Sequence, residues 1–242
     1  MRRAERSLGV LIAIAALLSV GWQGHPSARQ IFTRAVEVDL VAMPPRGHHT
    51  TRPRGPKHEA LATGKLLIAT PQVTGPFFSQ SVVLLIDYDA EGAVGLILNQ
   101  KTSLPITELI VGVNGIEKRS DRVFLGGPVS PASIAFLIRG ESKPPESRSL
   151  INEVHVSGSR LSLEHVLAKE MPASHFHVYA GYAGWGPGQL DGELERGDWR
   201  VAPGEATHIF DDDPDGLWRR LFFRYGGVQV QRRDARANAT SG

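Results

Sequence analysis

The residues best suited to chemistry lie in one glycine-rich stretch, residues 181–194. Four glycines and one proline fall within its first eight positions, beside Tyr182 and Trp185. A β-type run over residues 176–182 leads into the stretch, and a short helical pattern over residues 189–196 leads out of it. A strand–turn–helix junction of this composition either brings backbone close to a ligand or turns a tight corner.

Two polar side chains of this stretch, Gln189 and Glu193, are four residues apart and so point the same way from the predicted helix. Glu193 could act as a general acid or base if a pocket raised its pKa. Alternatively, both side chains hydrogen-bond the glycine turn, whose amides cannot all pair internally. We expect this bracing role rather than catalysis. We also expect Trp185 to pack as a plug, with ligand contact as the alternative.

A pair of histidines precedes the glycine stretch. His175 and His177 are two apart on the predicted strand, so they would share a face and could ligate a metal. A carboxylate ligand would still be needed, and Asp211 to Asp213 supply one only in principle. We expect one histidine to pack, the other to be solvated, and the aspartates to cap a helix. The sequence therefore predicts no metal.

Four common catalytic motifs are missing from the sequence. It has no phosphate-loop pattern, no Gly-x-Ser-x-Gly, no Ser-x-x-Lys and no His-Glu-x-x-His. The run beginning at Gly184 fails the dinucleotide fingerprint because Gln189 stands in place of the third glycine. The absence of cysteine excludes a disulfide framework, a thiol nucleophile and a cysteine zinc site. We predict no catalytic residue and no cofactor.

A second glycine motif, Gly126-Gly127-Pro128, follows a predicted strand over residues 122–125. We interpret this motif first as a backbone turn whose geometry requires glycine. The alternative is that its backbone amides bind an anion. Together with Tyr182, Trp185, Gln189 and Glu193, these three residues form the predicted ligand or partner surface.

The charge is divided unevenly along the 242 residues, whose net charge is +2. Residues 1–60 hold nine Arg/Lys against four Asp/Glu, whereas residues 61–231 hold fifteen against twenty. An acidic central region argues against a broad phosphate-binding surface, so we do not expect this region to bind nucleic acid. A protein or a small molecule is the expected partner.

The N-terminal region differs from the rest of the chain. Residues 1–23 combine a basic start with an apolar run, residues 8–22, and predict a signal peptide or a short membrane anchor. Residues 24–63 predict a Pro/His/Arg-rich linker. We therefore expect export to the periplasm or membrane anchoring, unless translation begins at Met43.

The folded domain is predicted over residues 64–228, followed by a tail over residues 229–242. Hairpins come first and helices are interspersed, which indicates the α+β class. Predicted strands cover residues 65–70, 81–87, 93–99, 122–125, 133–139, 153–157, 176–182, 199–202 and 207–210. Predicted helices cover residues 105–111, 162–168 (with Ser162 as the N-cap) and 189–196, and a last helix begins at Asp213-Pro214.

Three blocks of the sequence, taken in order, resemble a known family. They are Lys65-Leu-Leu-Ile-Ala-Thr-Pro71 continuing to Gly92-Ala-Val-Gly-Leu-Ile-Leu-Asn99, then Gly126-Gly-Pro-Val129, then Gly181-Tyr-Ala-Gly-Trp-Gly-Pro-Gly-Gln-Leu190. Together they resemble the bacterial AlgH/YqgE family over residues 64–228. The resemblance implies a bifurcated mixed β-sheet that partly closes into a small barrel, flanked by helices. It also implies a mostly cytoplasmic protein with a possible role in transcriptional or exopolysaccharide regulation.

Two positions depart from the family pattern. Asp87-Tyr88 stands where the family often has Glu-His, and Arg139 stands where it often has a histidine. Chemistry that used those histidines is therefore not expected here. Our leading hypothesis is a non-catalytic binding or regulatory domain. The alternative is a hydrolase-like enzyme that uses Glu193 with a water, assisted by a metal on His175 and His177.

Overall fold

The computed structural model describes residues 11–12, 36–37 and 61–226 of the chain. The predicted signal peptide or anchor and the linker lie largely outside this range, and residues 227–242 lie wholly outside it. In the described part of the chain, no helix is long and apolar enough to cross a membrane.

Twelve strands and five α-helices make up the described structure. The strands are β1 (Leu11–Ile12), β2 (Val36–Glu37), β3 (Lys65–Ala69), β4 (Val82–Asp89), β5 (Gly92–Ile97), β6 (Lys101–Pro105), β7 (Arg122–Leu125), β8 (Val129–Arg139), β9 (Arg148–Ile151), β10 (Val154–Ser157), β11 (Phe176–Trp185) and β12 (Trp199–Pro203). The helices are α1 (Ile106–Leu109), α2 (Arg160–Ala168), α3 (Gln189–Arg196), α4 (Ala206–Ile209) and α5 (Pro214–Gly226). Short 3₁₀ turns cover Ile116–Lys118 and Ala173–His175.

One curled sheet contains ten of these strands. Its order is β12-β3-β4-β5-β11-β8-β10-β9, with β6 paired to β7 and β7 paired to β11. Every pairing is antiparallel except that of β7 with β11. The predicted α+β class and bifurcated sheet are confirmed, and the sheet curls into a half-barrel with a few helices.

Strand β11 is where the sheet divides. One edge pairs with β8 as far as Tyr182, while the other edge pairs first with β7 and then with β5. The register shifts between Ala180 and Tyr182, so Gly181 forms a bulge with φ of 71°. A Cβ on Gly181 would lie 2.5 Å from the carbonyl oxygen of Gly127, so both the dihedral and the space favour glycine.

The bulge changes the face to which successive β11 side chains point. Before it, Tyr179 lies in the central core inside the half-barrel, while Val178 packs in the outer core under α1 and α2. After it, Tyr182 packs against the central core, whereas Ala183 and Trp185 pack in a third core, which lies on the other side of the strand from the central core. An uninterrupted strand would keep odd-numbered residues on one face. The bulge therefore places Trp185 on the outer face.

One predicted strand was wrong. Residues 207–210 were expected to form a strand, but Ala206–Ile209 is a helical turn in which the Glu205 carbonyl accepts from His208 N and Ile209 N at 3.0 and 3.1 Å. This turn directs Ile209 and Phe210 into the central core. Tertiary burial thus overrides the β-preference of the segment.

The N-cap of α2 was also misplaced. The helix begins at Arg160, and the Ser159 hydroxyl oxygen accepts from Leu161 N at 3.1 Å. Ser162 is instead buried within the helix, where its hydroxyl contacts Ser157 Oγ at 2.8 Å and the Pro145 carbonyl. Strands β6 and β9 were not predicted, because their short polar sequences give no alternating apolar pattern.

Candidate functional site

A cleft of about 260 Å³ opens on the outer face of the sheet, where the glycine motif meets α3 and β12. Strand β11 ends at the cleft, α3 forms one wall, and β12 begins at its base. The segment that follows β3 forms the facing wall. The lining residues are Gln72, Val73, Thr74, Phe78, Gly184, Trp185, Gln189, Glu193, Arg196, Asp198 and Trp199.

Three aromatic rings form the floor of the cleft. The Trp185 and Trp199 rings meet edge to face with centroids 6.1 Å apart. Phe78 lies 6.2 Å from Trp185 and 6.0 Å from Trp199. Both indoles are buried, at 7% and 4% exposure. Trp185 is therefore mainly a packing residue, as expected, although its ring still borders the cleft.

Glu193 connects the two indoles. Its Oε2 accepts from the indole Nε1–H of Trp185 and from that of Trp199, each at 2.8 Å. Its Oε1 accepts from Gln189 Nε2 at 2.9 Å. Hydrogen bonds to an ionised carboxylate are stronger than neutral ones. We refer to Glu193, Trp185, Trp199 and Gln189 as the carboxylate clamp.

Gln189 extends the clamp to the glycine turn. Its Oε1 accepts from the backbone N–H of Gly186 at 3.1 Å, which is the bracing contact expected from the sequence. Helix α3 begins after Gly188 (φ 69°) and ends before Gly197 (φ 84°), both in the left-handed region that glycine tolerates best. Two glycines thus set the ends of the helix that carries Glu193.

The rim of the cleft is charged and exposed. Arg196 Nη2 and Asp198 Oδ2 form an ion pair at 2.6 Å, with the Arg196 side chain 63% exposed. The Thr70 hydroxyl donates to the Gly197 carbonyl at 2.9 Å and ties the end of α3 to the end of β3. The Tyr88 hydroxyl donates to Asp191 Oδ1 at 2.8 Å, so the Asp87-Tyr88 departure from the family pattern contributes a contact to α3.

The clamp limits what Glu193 can do chemically. An indole N–H is a donor only, and both carboxylate oxygens already accept from fixed donors. A general base must reach a proton on a substrate, and a general acid must carry one. Oε2 accepts from both indoles, so using that oxygen would break a contact that holds Trp185 or Trp199, whereas Oε1 accepts only from Gln189 and keeps a lone pair for a further donor.

The predicted surface residues do not form one site. Trp185, Gln189 and Glu193 line the cleft, whereas Gly126, Gly127, Pro128 and Tyr182 do not. Gly126 N donates to the Ala180 carbonyl at 2.8 Å, and a Cβ on Gly127 would overlap the Tyr182 backbone. The Gly-Gly-Pro motif thus seats β7 against the β11 bulge, which is the geometric role that was its first interpretation.

The two histidines do not lie on one strand. His175 ends a 3₁₀ turn and lies before β11, while the His177 ring lies 4.6 Å from Phe124 and 5.0 Å from Phe210. Burial, reinforced by the positive charge of Lys101, lowers the pKa of His177 to about 4. The placement of both histidines on one strand, on which the metal alternative depended, was therefore wrong.

The triple aspartate serves the last helix instead. Asp213 Oδ1 accepts from Gly216 N at 3.2 Å, and Arg220 pairs with Asp211 and Asp213 at 2.7 and 2.6 Å. These hydrogen bonds and the Arg220 charge lower the pKa of Asp213. Among residues 61–226, no group of three or more His, Asp and Glu could hold a metal ion.

Two important residues of the cleft were missed. Trp199 was treated as a strand residue and Phe78 as a loop aromatic, yet both complete the floor beside Trp185. The available signal was the spacing of Trp185 and Trp199 around Glu193, eight residues before it and six after it. Helix α3 carries the chain from β11 to β12, which are separated by three strands in the sheet order, and its mid-helix carboxylate bonds the ring at each end of the connection.

The fold and the site define a class of protein: a half-barrel α+β domain with an aromatic cleft closed by a helix carboxylate. The family model described as AlgH-like (DUF179) matches residues 66–229, which is more than half of the chain. A UPF0301 protein of Streptomyces avermitilis is 36% identical over 167 residues, covering 67% of this chain and 86% of the relative. A UPF0301 protein of Methylococcus capsulatus is 32% identical over 177 residues, covering 72% and 97%. The chain therefore belongs to the AlgH-like family.

Two solved structures share the fold. The solution structure of AlgH from Pseudomonas aeruginosa matches with a TM-score of 0.57 at 23% identity, covering 79% of this chain and 99% of that one. The crystal structure of a Corynebacterium diphtheriae protein matches with a TM-score of 0.60 at 22% identity, covering 69% and 89%. At these identities the comparison supports the half-barrel fold and nothing finer.

Proposed function

We propose that this protein is a non-catalytic binding or regulatory domain whose cleft receives a small molecule or a side chain of a partner protein. The observation that carries the proposal is the carboxylate clamp. Glu193, the candidate catalytic residue of the motif, holds both indoles of the cleft floor through Oε2 and the Gln189 amide through Oε1. A carboxylate used in this way fixes the positions of the side chains that line the cleft.

The cleft has the composition of a small recognition site. Its floor is aromatic, and its rim offers the Gln72 amide, the Thr74 hydroxyl and the Arg196 guanidinium. Ligand pockets combine apolar walls with a few polar groups that fix orientation, and typically measure about 300–1,000 Å³. At about 260 Å³ the cleft suits a small metabolite or one inserted side chain.

The indole N–H signals provide the test of binding at this cleft. Trp185 and Trp199 border it, whereas Trp218 donates to the Ala69 carbonyl at 2.8 Å from α5. We expect a true ligand, found by screening metabolites and co-purified proteins in ¹H–¹⁵N spectra, to shift the Trp185 and Trp199 signals and leave that of Trp218 unchanged. Ligands that shift only other regions of the spectrum would place the function elsewhere.

A charge reversal at the rim separates binding from folding. Arg196→Glu changes an exposed side chain of the cleft, and Arg160→Glu on α2 is the matched control, because Arg160 is exposed and also pairs with a carboxylate. For a ligand that contacts the rim, we expect Arg196→Glu to weaken affinity by roughly 10-fold, the effect of losing about 1.4 kcal/mol. Equal effects of the two variants would contradict the proposal.

The hydrolase alternative makes a different prediction. It requires Glu193-dependent turnover of an ester, phosphodiester or glycan, and Glu193→Gln should abolish that turnover. We expect a screen of such substrates to show no Glu193-dependent turnover. Glu193-dependent turnover would replace the binding proposal with the enzymatic one.

The regulatory and localisation proposals rest on sequence. Family resemblance suggests regulation of exopolysaccharide genes, exercised through a partner rather than through direct contact between the acidic domain and nucleic acid. The basic start and the apolar run over residues 8–22 suggest export or membrane anchoring. Cell fractionation with N-terminal sequencing of the mature protein tests localisation, and a cytoplasmic protein beginning at Met1 or Met43 would overturn it.

A further inference from the structure

A serine and a histidine face each other across the last two strands of the sheet, far along the sheet order from the cleft. Ser149 on edge strand β9 lies opposite His155 on β10. Ser149 Oγ is 3.0 Å from His155 Nδ1, and His155 Nε2 is 2.9 Å from the Gly140 carbonyl oxygen. His155 is 2% exposed, whereas Ser149 is an exposed residue.

The contacts determine the tautomer of His155. A carbonyl oxygen can only accept, so Nε2 must carry the proton that it donates to Gly140. In the neutral ring, Nδ1 is then an acceptor and receives the Ser149 hydroxyl proton. An exposed hydroxyl thus donates to a buried imidazole whose other nitrogen is held by a fixed acceptor. The arrangement matches that of a nucleophile (Ser149), its general base (His155) and the group that orients the base (the Gly140 carbonyl).

We propose that Ser149 is an activated nucleophile, with His155 as its general base, that is acylated by small activated acyl compounds such as esters and thioesters with good leaving groups. The Ser149 O–H bond breaks and its proton passes to His155 Nδ1 as Oγ bonds the acyl carbon. The bond from that carbon to the leaving oxygen or sulfur breaks, and His155 returns the proton to the leaving group. The products are acyl-serine and the free alcohol or thiol, and no oxidant or further reactant is needed.

The chain carries its own control for this geometry. Ser174 Oγ lies 3.1 Å from His175 Nδ1, so it also pairs a serine with an imidazole. Ser174 is exposed, and no contact to His175 Nε2 accompanies this pair among the described hydrogen bonds. If proximity to imidazole alone activated a serine, the two hydroxyls would react alike. If the oriented base matters, Ser149 reacts faster.

The test uses p-nitrophenyl acetate on the full chain at neutral pH, with the modified residue located by mass spectrometry of tryptic peptides. Trypsin cleaves after Arg148 and Lys169, so the two serines lie on separate peptides. We expect Ser149 to be acetylated at least ~10-fold faster than Ser174, consistent with the roughly 10²–10⁴-fold typical of general-base assistance. Ser149→Ala should remove that modification and leave the Ser174 rate unchanged. Equal rates at both serines, or no acetylation of Ser149, would overturn the proposal.

A second measurement leaves the buried His155 in place and changes only the serines. The chain has no cysteine, so Ser149→Cys and Ser174→Cys each create a single thiol. Iodoacetamide should alkylate the thiol at position 149 faster in the native protein, and the difference should vanish in denaturant because the oriented imidazole is lost. A thiol at position 149 that reacts no faster than the one at 174 would show that His155 does not activate this position.

Discussion

Replacing Glu193 with alanine tests whether the carboxylate clamp holds the cleft together. The substitution removes the acceptor of two indole N–H groups on buried rings and of the Gln189 amide. Each buried donor left unsatisfied costs about 1–3 kcal/mol. Because the cleft is open to solvent and water can reach part of the vacated site, we expect the lower part of the combined range, about 2–4 kcal/mol of unfolding free energy.

Urea denaturation followed by far-UV circular dichroism measures this loss without relying on tryptophan fluorescence. For a domain of 150–250 residues, a loss of 3 kcal/mol corresponds to a fall in Tm of roughly 6–12 °C. Glu195→Ala is the matched control, because Glu195 is an exposed residue on the same helix. We expect that variant to stay within about 0.5 kcal/mol of the wild type, as surface substitutions usually do.

A double-mutant cycle isolates the hydrogen bond from the packing of the ring. Trp199→Phe keeps an aromatic ring but removes the indole donor, so part of the effect of Glu193→Ala should disappear in the Trp199→Phe background. We expect a coupling of about 1–2 kcal/mol, since the two groups are in direct contact. A coupling near zero, or a loss below about 0.5 kcal/mol in Glu193→Ala itself, would refute the reasoning.

Three further predictions concern the scaffold. His177 has a pKa of about 4 in the folded protein against 6.5 when unperturbed, so the free energy of unfolding should fall by up to about 3 kcal/mol as pH falls from 6.5 to 4. His177→Gln should reduce this loss of stability in urea titrations, whereas His175→Gln should not. An unchanged pH dependence in His177→Gln would contradict the prediction. Gly181→Ala should lower stability by about 2 kcal/mol or more because φ is 71° there and the Cβ would meet a carbonyl, and a neutral effect by thermal denaturation would rule out this account of the bulge. Ser159→Ala should lower stability by about 1 kcal/mol through loss of the α2 cap and of the hydroxyl's contact with Glu146 Oε2, and an undiminished Tm would show that these contacts contribute nothing.

The sequence predicted the parts of the fold that have strong local signals. The apolar run at residues 82–86 predicted a buried strand, the β-type run at residues 176–182 predicted a second strand, and the two glycine motifs predicted tight turns. The last helix was predicted from Asp213-Pro214, where the aspartate carboxylate caps the first turn. These signals lie within a few residues of the structure they determine.

The remaining features depend on contacts between distant residues. Nothing local to Phe78 indicates that it meets Trp185 and Trp199, because the curl of the sheet brings the segment after β3 and the start of β12 to the same outer face. The separation of the Gly-Gly-Pro motif from the cleft depends likewise on the bulge at Gly181. Before the bulge was known, both glycine motifs could be placed on one surface.

The glycine-rich motif therefore serves geometry before it serves binding. Gly181 turns the strand so that Trp185 leaves the central core, and Glu193 then fixes that ring beside Trp199. Since the cleft floor is also an outer core of the domain, substitutions of the floor will lower stability whether or not a ligand binds there. Only the rim, where Arg196 is exposed, can be changed without removing buried apolar contacts. A loss of function traced to a floor residue would thus say little about recognition, whereas a loss traced to Arg196 in a protein of unchanged stability would identify the cleft as the site of binding.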